Sequence, residues 1–189
     1  MANESKTNAQ FEQVIAECRT LFEQKLHDYG ASWRILRPQS LTDQLYIKAK
    51  RIRSLEIKGE SLVGEGIRPE FVALINYGIV GLVQLDKGFS DTVDIDHAEA
   101  MALYDHYAQE ALELMKRKNH DYDEAWRGMR VSSYTDFILT KIERVKEIEE
   151  ISHRGEQLKA SEGIDSNYMD IINYAVFGAI KLKECGEGK

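Results

Sequence analysis

The segment KLHDYGASWR at residues 25–34 returns as KNHDYDEAWR at residues 118–127. The flanks repeat as well: SLTD at 40–43 returns as SYTD at 133–136, and INYG at 75–78 as INYA at 172–175. Asp28 and Asp121 stand 93 residues apart, as do Asp43 and Asp136, whereas Asn76 and Asn173 stand 97 apart. The second copy therefore carries about four extra residues in its last loop. The chain reads as a tandem duplication with repeats over 1–95 and 96–189, packed as one globular domain. Two copies in one chain form a two-sequence comparison. Positions kept in both report a shared constraint, and positions lost in one report a divided role.

Working outward from these segments, apolar spacing and turn residues predict three helices per copy and no strand. The first runs roughly over 8–29, matched by 97–122, where Asp96 and Glu99 form a capping box. The second runs over 41–57, matched by 134–152. The third runs over 69–86, matched by 166–184, with Pro69 at a first helical position and Asp165 as a cap. Three-helix halves of this size are too small to stand alone, so the fold class expected is all-α: a six-helix body with pseudo-twofold symmetry. The third helices, FVALINYGIVGLVQL and YMDIINYAVFGAIKL, are apolar nearly all round, the pattern of a buried helix. Gly81 corresponds to Gly178, and Gly78 to Ala175. Small residues at these positions place the third helices in close contact at the pseudo-twofold.

Composition excludes several classes. A net charge of −7 lacks the basic footprint of a general nucleic-acid binder, yet allows one nucleotide in a local basic pocket. The longest apolar run, Phe71 to Leu85, is short for a membrane span and is broken by Asn76. Two cysteines, Cys18 and Cys185, show no CxxC spacing, and the first ten residues have no signal-peptide pattern. A cytoplasmic protein without membrane association is the expectation.

Several polar residues stand where a core does not require them. On the second helices, Lys48 and Lys141 interrupt apolar seams, and Arg51 and Arg144 follow three residues later. A buried ammonium must meet an anion or reach solvent, so the lysines snorkel, pair with a carboxylate, or hold a phosphate. Asp43 and Asp136 lie in Ser-x-x-Asp segments and read as helix caps in preference to ligands. In the repeated HDYxxxW segment, Lys25, Tyr29 and Trp33 lie at spacings of four and share a helical face if the helix continues that far, and Lys118, Tyr122 and Trp126 are their counterparts. His27, Asp28, His120 and Asp121 flank these faces, with Arg34 and Arg37 beyond. The segment is either a polar clasp or a ligand wall in which rings stack a base and cations hold phosphate. On the third helices the copies differ: Glu70 faces Asn167 in the alignment, and Ala73 faces Asp170. Asp170, inside an apolar stretch, pairs with a seam lysine or binds Mg²⁺, a hard ion that takes oxygen ligands.

K-x-H-D-Y-x-x-x-W, then D-x-x-x-x-K-x-x-R, then a late helix carrying INY resembles the nucleotide-modification-associated domain family, in both repeats, from about residue 17 to 185. The wider similarity is to the all-α nucleotide pyrophosphohydrolases, the MazG-like and dimeric dUTPase-like proteins. That resemblance implies Mg²⁺ held by helix-borne acids and cleavage of a nucleoside triphosphate to monophosphate and pyrophosphate. No clean counterpart of the family's ExxE stands on either second helix, where copy one offers Asp43 and Glu56 and copy two Asp136, Glu143, Glu147 and Glu149, and its ExxD is split as E-x-x-A at 70–73 and N-x-x-D at 167–170. On this reading Asp170 and Glu70 are the catalytic and metal-binding acids, with Asp28 and Asp121 as alternative metal ligands. Lys48, Arg51, Lys141 and Arg144 hold phosphates, while Lys25, His27, Tyr29 and Trp33 with Lys118, His120, Tyr122 and Trp126 shape the rest of the substrate pocket. The partner expected is a nucleotide or other phosphate-bearing small molecule. The competing expectation is a noncatalytic helical module that binds a partner or assembles, for instance as a homodimer.

Overall fold

Six helices carry the fold: α1 (Ala2–Tyr29), α2 (Pro38–Lys58), α3 (Arg68–Lys87), α4 (His97–Tyr122), α5 (Val131–His153) and α6 (Ile164–Glu184). Short 3-10 turns, Ser32–Ile35 and Ala125–Gly128, follow α1 and α4. The computed structural model describes residues 2–62, 64–156 and 163–186, and among these all regular structure is helical. The second copy's extra residues fall between α5 and α6, where 157–162 lie outside the described residues. None of the described helices is long and apolar enough to cross a membrane.

Local chemistry sets the helix ends. Asp96 caps α4, its Oδ1 accepting the Glu99 amide at 2.8 Å, as its spacing predicts. The box is not reciprocal, because the Glu99 carboxylate turns to Lys87 at 2.7 Å. Pro38 and Pro69 occupy the first turns of α2 and α3, where a missing N–H costs nothing. Three expected caps are not observed. Helices α2 and α5 begin at Pro38 and Val131, after extended Arg37 and Arg130, so Asp43 and Asp136 lie a turn inside. Asp136 instead faces Arg53 across the α2–α5 contact at 3.8 Å. Similarly α6 starts behind extended Gly163, which leaves Asp165 within the first turn. Its carboxylate still faces the positive end of the helix.

The core is organised about α3 and α6, the most extensively packed pair. A Cβ on Gly81 would stand 2.7 Å from the Tyr168 ring, and one on Gly178 would stand 2.7 Å from the Phe71 ring. Gly81 corresponds to Gly178 and Phe71 to Tyr168, so the two contacts are the same contact related by the pseudo-twofold. Both rings are fully buried. The second helices show the same reciprocity. The Thr42 hydroxyl donates to Glu149 at 2.7 Å, and the Thr135 hydroxyl donates to Glu56 at 2.8 Å. Each repeat also lends its first helix to the other, α1 packing on α6 and α4 on α3.

Two outcomes test this packing. Gly178→Val drives a branched side chain into the Phe71 ring and is expected to cost about 1–3 kcal/mol in urea unfolding. Gly128→Ala, whose Cβ would meet nothing within 4 Å, is the near-neutral control. The second outcome concerns pH. Burial, the largest effect, holds the Glu56 and Glu149 carboxyls above the ordinary 4.5, against the lowering by their threonine donors. The folded chain therefore binds these protons more tightly than the unfolded chain. That stabilises the fold in acid and is lost as pH rises through the folded values. Glu56→Gln/Glu149→Gln should be more stable than wild type at pH 7, with the gain vanishing below about pH 4.5 in parallel melts.

Candidate functional site

Each HDYxxxW segment ends a first helix and passes into a 3-10 turn, so its tryptophan folds back toward the third helix of the same repeat. Gly30, with φ +62°, makes that reversal after α1. Asp123 stands at the same place in the second copy with φ +47°, followed by Glu124 at +60°. Left-handed geometry is unfavourable for both side chains, and Glu124 is held in it by a clasp. Its carboxylate accepts from Thr7 at 2.6 Å, from Arg127 at 2.6 Å and from Asn119. The first copy uses a different clasp. Arg34, 1% exposed, donates to Asp94 at 2.8 and 3.1 Å, to Gln84, and to the Gly88 carbonyl, tying the turn to the linker between repeats.

Behind each turn lies a pocket, and the two are built from corresponding positions. The first, about 730 Å³, is walled by Lys25, Tyr29, Trp33, Asn76, Tyr77 and Val80, with Lys48 and Glu70. The second, about 330 Å³, is walled by Lys118, Tyr122, Trp126, Asn173, Tyr174 and Phe177, with Asp170. The exchange of Val80 for Phe177 accounts for much of the difference. Phe177 stacks on Trp126 with centroids 4.4 Å apart and planes at 10°, and the Arg127 guanidinium lies 4.3 Å over the same indole. Trp33 is covered less closely: its ring neighbour Phe22 is tilted and 6.3 Å away, and the Arg34 guanidinium lies 6.0 Å from the ring centre.

Charge divides the pockets too. Glu70 is paired with Arg51 and lies 3.3 Å from Lys48. Asp170 is paired with Lys118 at 2.5 Å and Lys141 at 2.8 Å. The seam lysines thus meet third-helix carboxylates, one on each side of the pseudo-twofold. Where the second copy has Asp170 the first has Ala73, and Lys25 makes no ion pair among the described residues. Arg51 also faces Glu65 at 3.6 Å, so Lys48 and Arg51 are answered by Glu70 and Glu65 while Lys25 is left over at the first pocket, whereas at the second Lys118 and Lys141 share Asp170. Burial, with the neighbouring Asp170 charge, raises the Tyr174 hydroxyl above its ordinary value and keeps it protonated.

Other candidate residues lie elsewhere. His27 and His120 are 84% and 79% exposed and face Asp28 and Glu4 at 3.1 and 3.3 Å. Asp28 and Asp121 are exposed at the ends of α1 and α4, outside both pockets. Tyr29 and Tyr122, 72% and 70% exposed, form the pocket rims rather than the inner walls. Arg144 faces Glu147 at 3.1 Å on the α5 surface, because Asn167 replaces the acid that draws Arg51 inward. Glu70 and Asp170 line different pockets, so they do not share a composite site. Among the described residues no group of three or more His, Cys, Asp or Glu side chains could hold a metal ion. Two carboxylates in separate pockets, each neutralised by two cations, do not fit the magnesium set that the sequence resemblance implies.

INYG and INYA, which lie in the buried third helices and in the motif that resembles the family, carry no expected site role in the sequence. Their asparagines and tyrosines, Asn76, Tyr77, Asn173 and Tyr174, form pocket wall. The signal was present: Asn and Tyr persist in both copies within otherwise apolar helices.

A protein-family model described as nucleotide modification associated domain 1 matches residues 25–85 and again 118–182. No curated protein and no solved structure gives a significant match. The two matched regions contain both pockets' principal residues and together cover most of the chain, which therefore belongs to the nucleotide modification associated domain 1 family and carries its domain twice.

Proposed function

We propose that the protein binds a nucleotide in the pocket of the first repeat, with the phosphates at Lys25 and Lys48 and the base against Trp33. The observation that carries this reading is the Lys25 ammonium, without an ion pair among the described residues, at a cavity of about 730 Å³ walled by the Trp33 indole, which no ring stacks on among the described residues. A cavity of this size suits a nucleotide-sized ligand. A lysine of this kind acts as a point charge for phosphate, and an indole face takes a base by stacking. Tyr29 closes the rim. Membership of a nucleotide-associated family supports the same ligand class.

Binding without turnover is the reading favoured here over the pyrophosphohydrolase activity implied by similarity to MazG-like proteins. Both third-helix acids are engaged by cations, and among the described residues neither has the neighbouring carboxylates that a metal-dependent hydrolase needs. Calorimetric titration with the common ribo- and deoxyribonucleoside triphosphates, with and without Mg²⁺, tests the reading. At least one nucleotide is expected to bind one-to-one, and Lys25→Gln is expected to weaken it about tenfold, the loss of one charged hydrogen bond. No binding by any nucleotide, or equal binding by Lys25→Gln, overturns the proposal. Release of pyrophosphate would replace it with the enzymatic reading. In the second repeat, Asp170→Asn leaves Lys118 and Lys141 without their shared counter-charge. It is expected to lower stability by about 1–2 kcal/mol, since both lysines are partly solvated, while leaving first-pocket affinity unchanged.

A further inference from the structure

The second pocket contains a polar group that the protein leaves unsatisfied. Asn173 is 5% exposed, and among the described residues neither its Nδ2 nor its Oδ1 has a hydrogen-bond partner. Its counterpart Asn76 has both: Nδ2 donates to the Cys18 carbonyl at 3.2 Å, and Oδ1 accepts from the Tyr104 hydroxyl at 2.8 Å. The duplication explains the loss at Oδ1. The position equivalent to Tyr104 in the first copy is Phe11, which has no hydroxyl to offer Asn173. A buried carboxamide with neither bond made is costly and uncommon in native proteins, and this one lines a cavity of about 330 Å³.

The cavity's chemistry narrows what would fill it. A carboxamide offers one donor and one acceptor side by side, the complement of the paired donor and acceptor on a nucleobase edge. Much of the remaining wall is aromatic, with Met115, Ala125 and Met129 between the rings, and planar groups pack on such rings favourably. Phosphate is disfavoured, because Lys118 and Lys141 are both paired with Asp170 and that carboxylate faces the same space. We propose that the second pocket binds an uncharged nucleobase or nucleoside through the Asn173 carboxamide. The duplicated domain then carries two unlike sites, one for a phosphorylated nucleotide and one for an unphosphorylated base. The second site does not depend on the first.

The test uses the full chain carrying Lys25→Gln, titrated by calorimetry with free nucleobases, nucleosides and the matching 5′-monophosphates. At least one base or nucleoside is expected to bind one-to-one, with its monophosphate at least tenfold weaker. Adding Asn173→Leu, close in size and free of unsatisfied polar atoms, should weaken that binding at least tenfold. Should this variant fail to fold, Tyr122→Ala on the exposed rim gives a second reading and should weaken the same ligand severalfold. Three results overturn the proposal: no probe binding at millimolar concentration, as when ordered water alone satisfies Asn173; binding unchanged by both substitutions; or a monophosphate that binds as tightly as its nucleoside.

Discussion

Where α3 meets α6, each helix presents a glycine to the other's aromatic ring, Gly81 to Tyr168 and Gly178 to Phe71. A side chain at either glycine would collide with a fully buried ring, and close-packed interiors do not yield to such collisions without shifting whole elements. The spacing of these helices sets the depth of everything built on their outer faces. Asn76, Tyr77 and Val80 lie on one helix, and Asn173, Tyr174 and Phe177 on the other, at corresponding positions. The two pockets inherit their placement from this single reciprocal contact.

Symmetry of backbone did not preserve symmetry of chemistry. Each repeat retains a seam lysine and the HDYxxxW turn, yet the carboxylates that answer the lysines come from different turns of the third helix: Glu70 in one copy and Asp170 in the other. That displacement by one helical turn leaves Lys25 without an ion pair among the described residues and pairs Lys118. Replacing Val80 by Phe177 covers one tryptophan and leaves the other open. These exchanges keep the scaffold while dividing the recognition properties of its two halves, as duplication permits once one copy suffices for the original role.

The anchoring of the repeated turns shows how far identical residues can differ in partners. Arg34 and Arg127 are the same residue of the repeat. One clasps the inter-repeat linker through Asp94, and the other clasps α1 through Glu124, Thr7 and Gln10. Both serve as structural fasteners, so the cations immediately after each tryptophan act on the turn rather than in the pocket. The helix caps were legible in part for a related reason. Asp96 is followed by a helix whose start is fixed by its own side chain, whereas α2, α5 and α6 begin two or three residues before their expected starts, α2 at Pro38, which suits a first helical position.

By itself the sequence determined the duplication, the six helices, the buried third-helix pair with its small residues, and that each seam lysine either meets an anion or reaches solvent. These follow from periodicity and from the cost of burying charge, which act along the chain. Tertiary structure alone decided which anion each lysine meets and that Glu70 and Asp170 stand in separate pockets. It also decided that the histidines face outward and that Asn173 has lost the partner Asn76 keeps. Those outcomes depend on distances between helices remote in sequence, and a hydroxyl present at residue 104 but absent at residue 11 acts only once folding sets each beside its asparagine.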